Sequence, residues 1–416
     1  MYKELSTGVL VKLVGVFYFG DQRSEKLEKI LIFTLSTGGG HNEAAANLKG
    51  EFEQYGYKVI INDVFQDFNK IAESVMINSF NVVTGKLPKL YGMIYDFGNR
   101  EKVNKLFSES TIKVFVEKMN EIIIKENPSL IISTHALLVN TLGRLKSDSD
   151  MGIPLLAIVT DYDAHLNYVN QNVDAYIAAG DYTRRTLIER GISANKIYTY
   201  GLPIKKEFIK GDQTDNNTEI FQILLMAGSL GLKGMYKVLN ELVNLKGNYH
   251  IVAVCGHNKK LKKAIEKNFT DFIDSGLITL YGFTNEIPKI MGESDLLITK
   301  PGGFTITEAI SETLPIMIPY YIPGQEKENL DYLLSEEVAI YVEDIEDINQ
   351  SVENLMENPS IISKMQDKMR VLYNKRALEE ILGLSKKLMT EYKKRIEDGD
   401  SLAKNPDLLG EKEKLL

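Results

Sequence analysis

The chain has 416 residues and a mass of 46.9 kDa, with 44% apolar and 25% charged residues. That length points to two or three domains, and the apolar share excludes wholesale disorder. Lysine and arginine total 49 against 57 acids, a net charge of −8, so the chain as a whole is no polyanion binder, although a local basic patch could still meet an anionic surface.

The single cysteine, Cys255, allows neither an internal disulfide nor a thiolate cluster, which fits a reducing cytosol. None of the five histidines lies in an HExxH pattern, which speaks against a zinc hydrolase. No apolar run reaches the ~20 residues of a membrane-spanning helix. The nearest, Val9 to Phe19, is interrupted by Lys12, and Asp21-Gln22-Arg23 follows where a signal peptide would show small residues. Residues 1–28 therefore read as a leader or non-native extension, with the fold starting near Lys29.

From there short apolar runs alternate with longer amphipathic ones. Ile30 to Phe33 reads as a buried strand, Asn42 to Tyr55 as a helix and Lys58 to Ile61 as the next strand. Leu130 to Ile132, Leu155 to Val159 and Ala175 to Ala178 continue the series, with a helix at Ile112 to Ile124. Continuous apolar strands separated by helices predict a doubly wound parallel α/β sheet. The polar stretch Lys210 to Thr218 reads as a linker. The rhythm then restarts with strand Phe221 to Met226, helix Met235 to Leu245 and strand His250 to Cys255, and with strands at Ile278 to Leu280, Leu296 to Ile298 and Ile316 to Ile318. The expected domains are 29–205 and 206–385, followed by a helix and charged tail over 386–416. Two such halves place a cleft between them, facing the carboxyl ends of both sheets.

Four glycine turns follow strands. Thr37-Gly38-Gly39-Gly40-His41 opens a helix, and it is neither a Walker loop nor GxGxxG. His41 suits a general base at the cleft mouth, and equally a histidine that merely caps the helix. Ala227-Gly228-Ser229-Leu230-Gly231 follows the first strand of the second half. Lys300-Pro301-Gly302-Gly303-Phe304-Thr305 starts a helix whose free amides could hold a diphosphate. Glu308, one turn in, suits ribose hydroxyls or simply balances the helix dipole. Tyr321 to Asn329 contains Pro323-Gly324-Gln325-Glu326, fit for a polyhydroxylated ligand or an ordinary turn. Asp161 and His165 follow another strand, either as a catalytic pair or as buried polar groups satisfying each other's surroundings.

Together these motifs resemble the lipid glycosyltransferase family of processive diacylglycerol glucosyltransferases and monogalactosyldiacylglycerol synthases, relatives of MurG. The resemblance runs from about Lys29 to Leu384. It rests on Thr37 to His41, Thr160-Asp161 with His165, Cys255-Gly256-His257-Asn258, Lys300 to Gly303 with Glu308-Ala309, and Pro323 to Glu326 with Asn329. It implies a GT-B fold of two Rossmann-like domains, with the acceptor on the first and a UDP-sugar on the second. The implied reaction is inverting and metal-independent, moving a hexose to diacylglycerol to give mono- and, by successive additions, diglycosyl lipid. His41 would be the base. Gly228, Ser229, Gly231, Pro301, Gly302, Gly303, Thr305, Glu308, Gln325, Glu326 and Asn329 would bind the nucleotide sugar, and Gly39, Gly40, Asp161 and His165 would line the acceptor side. No cofactor is expected, and glucose is expected over galactose in a bacterial single-chain enzyme without a plastid transit peptide. One departure stands out: the chain has no tryptophan, and Tyr168 occupies the place where the family carries one after His165.

Asn69 to Arg100 is long and irregular for an α/β domain. Within it Lys86, Leu87, Lys89, Leu90 and Tyr91 mix cations with apolar groups, as a membrane interface requires, or else pack on their own domain. The family places membrane docking here, which implies a peripheral enzyme on the cytoplasmic face of the membrane. Rival readings within the fold are a MurG-like transferase to a polyprenyl-linked acceptor and a UDP-sugar 2-epimerase. A non-catalytic nucleotide-sugar sensor is a third, against which His41 and Glu308 count.

Overall fold

Branched apolar residues concentrated in short runs need a cover on both faces, and the helices between them provide it. In the computed structural model, which describes residues 27–36, 39–64, 116–209, 220–226 and 233–399, these runs form two six-stranded sheets. Every strand pair is parallel. The first sheet contains β1 (Lys29–Thr34), β2 (Lys58–Asp63), β3 (Leu130–Ser133), β4 (Leu155–Ile158), β5 (Ala175–Ile177) and β6 (Ile197–Tyr198), in the order β2-β1-β3-β4-β5-β6. The second contains β7 (Phe221–Met226), β8 (Tyr249–Val254), β9 (Ile278–Tyr281), β10 (Leu296–Ile298), β11 (Ile316–Ile318) and β12 (Ala339–Tyr341), in the order β12-β11-β10-β7-β8-β9. In each sheet the first strand is flanked on both sides by later ones. The connections leave it in opposite directions and open a crevice at its carboxyl end, where ligands of such sheets bind.

Alternation along each strand divides its side chains between two cores. Leu31 and Phe33 of β1 face one cluster, Ile30 and Ile32 the other. On β7, Ile223 and Leu225 face one side and Leu224 the opposite one. The cluster holding Leu224 also takes in Ala44, Tyr162 and Ala179 from the first half, packed with Phe304, Ile306 and Tyr332 from the second. The two halves thus share a hydrophobic seam. Within it Tyr162 stacks on Tyr332 with ring centroids 4.0 Å apart, a contact worth about 0.5–1.5 kcal/mol beyond its area.

The helices used below are α1 (Gly39–Gln54), α2 (Ala136–Asp148), α3 (Lys259–Asn268), α4 (Gly303–Ser311), α5 (Gln325–Ser335), α6 (Pro359–Leu372) and α7 (Ala377–Glu397). Local chemistry sets their starts: Asn258 accepts a hydrogen bond from the Leu261 amide at 2.9 Å to begin α3, and proline opens α6. Residues 116–126 are helical where a helix was expected. The last helix returns to the first half. Leu378, Ile381, Leu382 and Met389 of α7 pack against Ile30, Ile32, Leu48 and Phe52. This helix runs through residue 385, where the sequence reading divided the second domain from the tail. No helix among the described residues is long and apolar enough to cross a membrane. Residues 1–26 of the leader, Thr37 and Gly38, the segment 69–100 with its docking candidates, the linker 210–218, Gly228, Ser229, Gly231 and the tail from 400 lie outside the described residues.

Candidate active site

The carboxyl end of β1 leads through glycine into α1. A Cβ on Gly40 would lie 3.2 Å from the Phe304 ring, so the bare backbone lets the start of α1 abut the start of α4. His41 sits in the first turn of α1. Its Nδ1 lies 2.8 Å from the Thr134 carbonyl at the end of β3, and a carbonyl can only accept. Nδ1 therefore carries the proton, and Nε2 keeps its lone pair. The Thr160 hydroxyl, just past β4, approaches the same Nδ1 at 3.0 Å. Burial pulls the imidazole down to about 4, opposed by its bond to Thr134, so His41 is neutral at physiological pH.

Two more histidines cap helical turns nearby, His135 against His41 and His165 within electrostatic reach of His135. His135 meets His41 edge-on, with centroids 4.5 Å apart at 64°, and its Nδ1 accepts from the Leu137 amide at 3.2 Å to begin α2. Burial, and then repulsion from His41 and His165, hold it well below the usual imidazole range. His165 accepts from the Asn167 amide at 3.1 Å.

The second half faces this cluster with α4. The helix opens after Pro301 and Gly302 with no side-chain cap and no acid in its own first turn, so α4 itself offers its leading amides and positive dipole end no side-chain partner. Gly303 is where the halves touch: a Cβ there would fall 2.3 Å from the Thr160 carbonyl oxygen and 3.5 Å from the Asp161 carboxylate. Glu308, 8% exposed, is pushed up to about 8 by burial and then by the charge of Glu43, with Lys205 opposing. Glu43 and Lys205 themselves pair at 2.8 Å.

The loop before α5 completes the seam. Asn329, 1% exposed, donates to the Pro301 carbonyl at 3.0 Å and accepts from the Tyr162 amide at 3.0 Å. Tyr162 donates its hydroxyl to Thr307 at 2.9 Å, while Thr307 donates to the Gly303 carbonyl at 2.7 Å. Asp161 bonds to Gln325 and Asn329 across the halves. Burial raises it to about 6 against those two bonds, with Glu326 and Asp163 adding to the rise. Glu326 pairs with Lys300 and accepts from the Ile322 amide at 2.8 Å.

The structure thus gathers His41, Gly40, Asp161, Gly303, Gln325 and Asn329 along one seam, with Gly39 at the start of α1 and Thr305 in the first turn of α4. Glu308 lies further along α4, beside the Glu43–Lys205 pair. The polar atoms of Glu326 and Asn329, expected to bind the nucleotide sugar, here serve the loop and the seam. Sequence reasoning passed over Thr134, His135 and Tyr162, and quoted Thr160 only within a motif. Ser133-Thr134-His135 directly follows an apolar strand, the signal already used for His41. Tyr168 is 1% exposed and places its hydroxyl 3.0 Å from that of Thr160, so it stands in the core behind the cleft. Among the described residues no group of three or more His, Cys, Asp or Glu side chains is placed to hold a metal ion.

Two parallel α/β halves, meeting through strand-end loops around a neutral histidine and an uncapped helix start, define a glycosyltransferase of the GT-B class. Residues 41–204 match the model of monogalactosyldiacylglycerol synthase, and residues 222–381 that of the glycosyltransferase family 28 C-terminal domain. The chain is 30% identical over 369 residues to a processive diacylglycerol beta-glucosyltransferase of Bacillus pumilus, spanning 85% of this chain and 94% of that one. It is 27% identical to the enzyme of that description from Bacillus subtilis, over 89% of this chain and 98% of the other. The chain belongs to this family of diacylglycerol glycosyltransferases. Among solved structures, MurG of Acinetobacter baumannii shares the fold with a TM-score of 0.59 at 16% identity, over 86% of this chain and 99% of that one.

Proposed function

We propose that the protein moves glucose from UDP-glucose to the free hydroxyl of diacylglycerol with inversion, and then to the product, giving mono- and diglucosyl lipids. The observation that carries this reading is His41: a neutral imidazole with Nδ1 occupied and no hydrogen bond at Nε2 among the described residues, on a helix start that abuts the helix start of the other half. Nε2 takes the acceptor proton as the hydroxyl oxygen bonds to the anomeric carbon. The bond from that carbon to the diphosphate breaks, and UDP leaves with the electron pair. An α-linked donor then yields a β-glycoside. The leading amides and dipole of α4 stabilise the leaving charge without a metal. Glu308 holds the ribose, and Gln325 the sugar. Lys86, Leu87, Lys89, Leu90 and Tyr91 seat the enzyme on anionic lipid, which brings the acceptor to the first half.

The test offers UDP-glucose and UDP-galactose separately with diacylglycerol in anionic vesicles, in EDTA. Expected are β-glucosyl diacylglycerol from the first donor and co-flotation of the protein with the vesicles. A strict divalent requirement, or an α-linked product, would overturn the mechanism.

A further inference from the structure

Thr160 stands at the end of β4 with its carbonyl against Gly303 and its hydroxyl against the base. A single contact to the Thr134 carbonyl leaves an imidazole free to swing about that bond. A second contact from a different strand end fixes the ring plane. Thr160 is itself held: its amide donates to the Tyr168 oxygen at 3.3 Å, and the two hydroxyls lie 3.0 Å apart. Thr160 is 3% and Tyr168 1% exposed, so this hydroxyl pair is shielded from water, and breaking it would leave a buried polar group unsatisfied.

We propose that Thr160, backed by Tyr168, is the positioning residue for His41, sharing the Nδ1 proton with the Thr134 carbonyl and so aiming Nε2 at the acceptor hydroxyl. This rests on the reading of His41 as the base. Both partners of Nδ1 are neutral acceptors. As Nε2 gains a proton the Nδ1–H becomes a stronger donor, and both bonds tighten in the transition state. Among the described residues His135 from the start of α2, itself repelled by His165, stands against the ring, while Asp161, next to Thr160 in the chain, has its carboxyl turned to Gln325 and Asn329.

Thr160→Val keeps the shape and removes the hydroxyl; Thr160→Ser restores it. In the valine enzyme kcat should fall about tenfold or more, the usual scale for a misaligned catalytic group, with the KM for UDP-glucose within about twofold. The acid limb of its kcat/KM profile should move to lower pH, because imidazolium has lost an acceptor, and the serine enzyme should recover both. A valine enzyme with wild-type kcat or an unshifted limb overturns the proposal, as does a serine enzyme no better than valine. His41→Ala, assayed alongside, separates the two ideas. If it turns over normally, the base assignment fails. If it is inactive while the valine enzyme is unaltered, only the positioning role fails.

Discussion

Glu308 carries an unusual load for a helix carboxyl. Burial and Glu43 hold it at about 8, so it is mostly protonated at neutral pH. A carboxylate accepts hydrogen bonds from two ribose hydroxyls more strongly than the neutral acid does, so on the proposed reading those bonds would lower its pKa. Binding of the donor should then release a proton in the window between the lowered value and about 8, and affinity should climb as pH rises through it. Calorimetry of UDP-glucose at pH 7 in two buffers of different ionisation enthalpy should show this release, and Glu308→Gln should abolish it. Equal heats from the wild-type protein in both buffers would remove Glu308 from the ribose site. The residue type and place of Glu308 were visible in the sequence; its protonation was not, because that depends first on burial between the halves and then on Glu43 and Lys205, which lie far away in the chain.

Among elements, α4 shows how tertiary contact overrides local preference. Replacing Gly303 by alanine improves intrinsic helix propensity by about 1 kcal/mol. Yet its Cβ would fall 2.3 Å from the Thr160 carbonyl oxygen, and backbone cannot step aside as a flexible side chain can. Gly303→Ala should therefore keep the circular dichroism of the native protein while losing about tenfold or more in kcat, since the halves are wedged apart. Unimpaired turnover would mean that the seam opens freely during catalysis. The central strands were legible because burial on both faces leaves them continuously apolar, as in Ile30-Leu31-Ile32-Phe33 and Leu296-Leu297-Ile298. The edge strands β6 and β12 were not. Ile197–Tyr198 and Ala339–Tyr341 are too short to carry a pattern, and at the margin of a sheet one neighbour suffices. Nor could spacing reveal that α7 packs on the first sheet, because its partners lie far back in the chain, as Ile381 against Ile30 and Ile132 illustrates.

On the scale of the whole molecule, the repeated alternation of strand and helix predicted two Rossmann-like halves, and the fold has them. What sequence left open is how tightly they engage. The seam from Tyr162 and Asp161 to Asn329, Gln325, Thr307 and Tyr332 is built from residues that make ordinary turns and helix faces when read alone. Its structural consequence is that the start of α1, which carries His41, abuts the start of α4, where a Cβ on Gly40 would lie 3.2 Å from the Phe304 ring; on the proposed reading these are the base and the site of the departing diphosphate. That division of labour is best examined by splitting turnover from donor binding in one variant. His41→Ala, measured with diacylglycerol vesicles and UDP-glucose, should lose about 10²–10⁴-fold in turnover, as expected for loss of a general base, while UDP affinity stays within about threefold. Retained turnover would contradict the central claim outright.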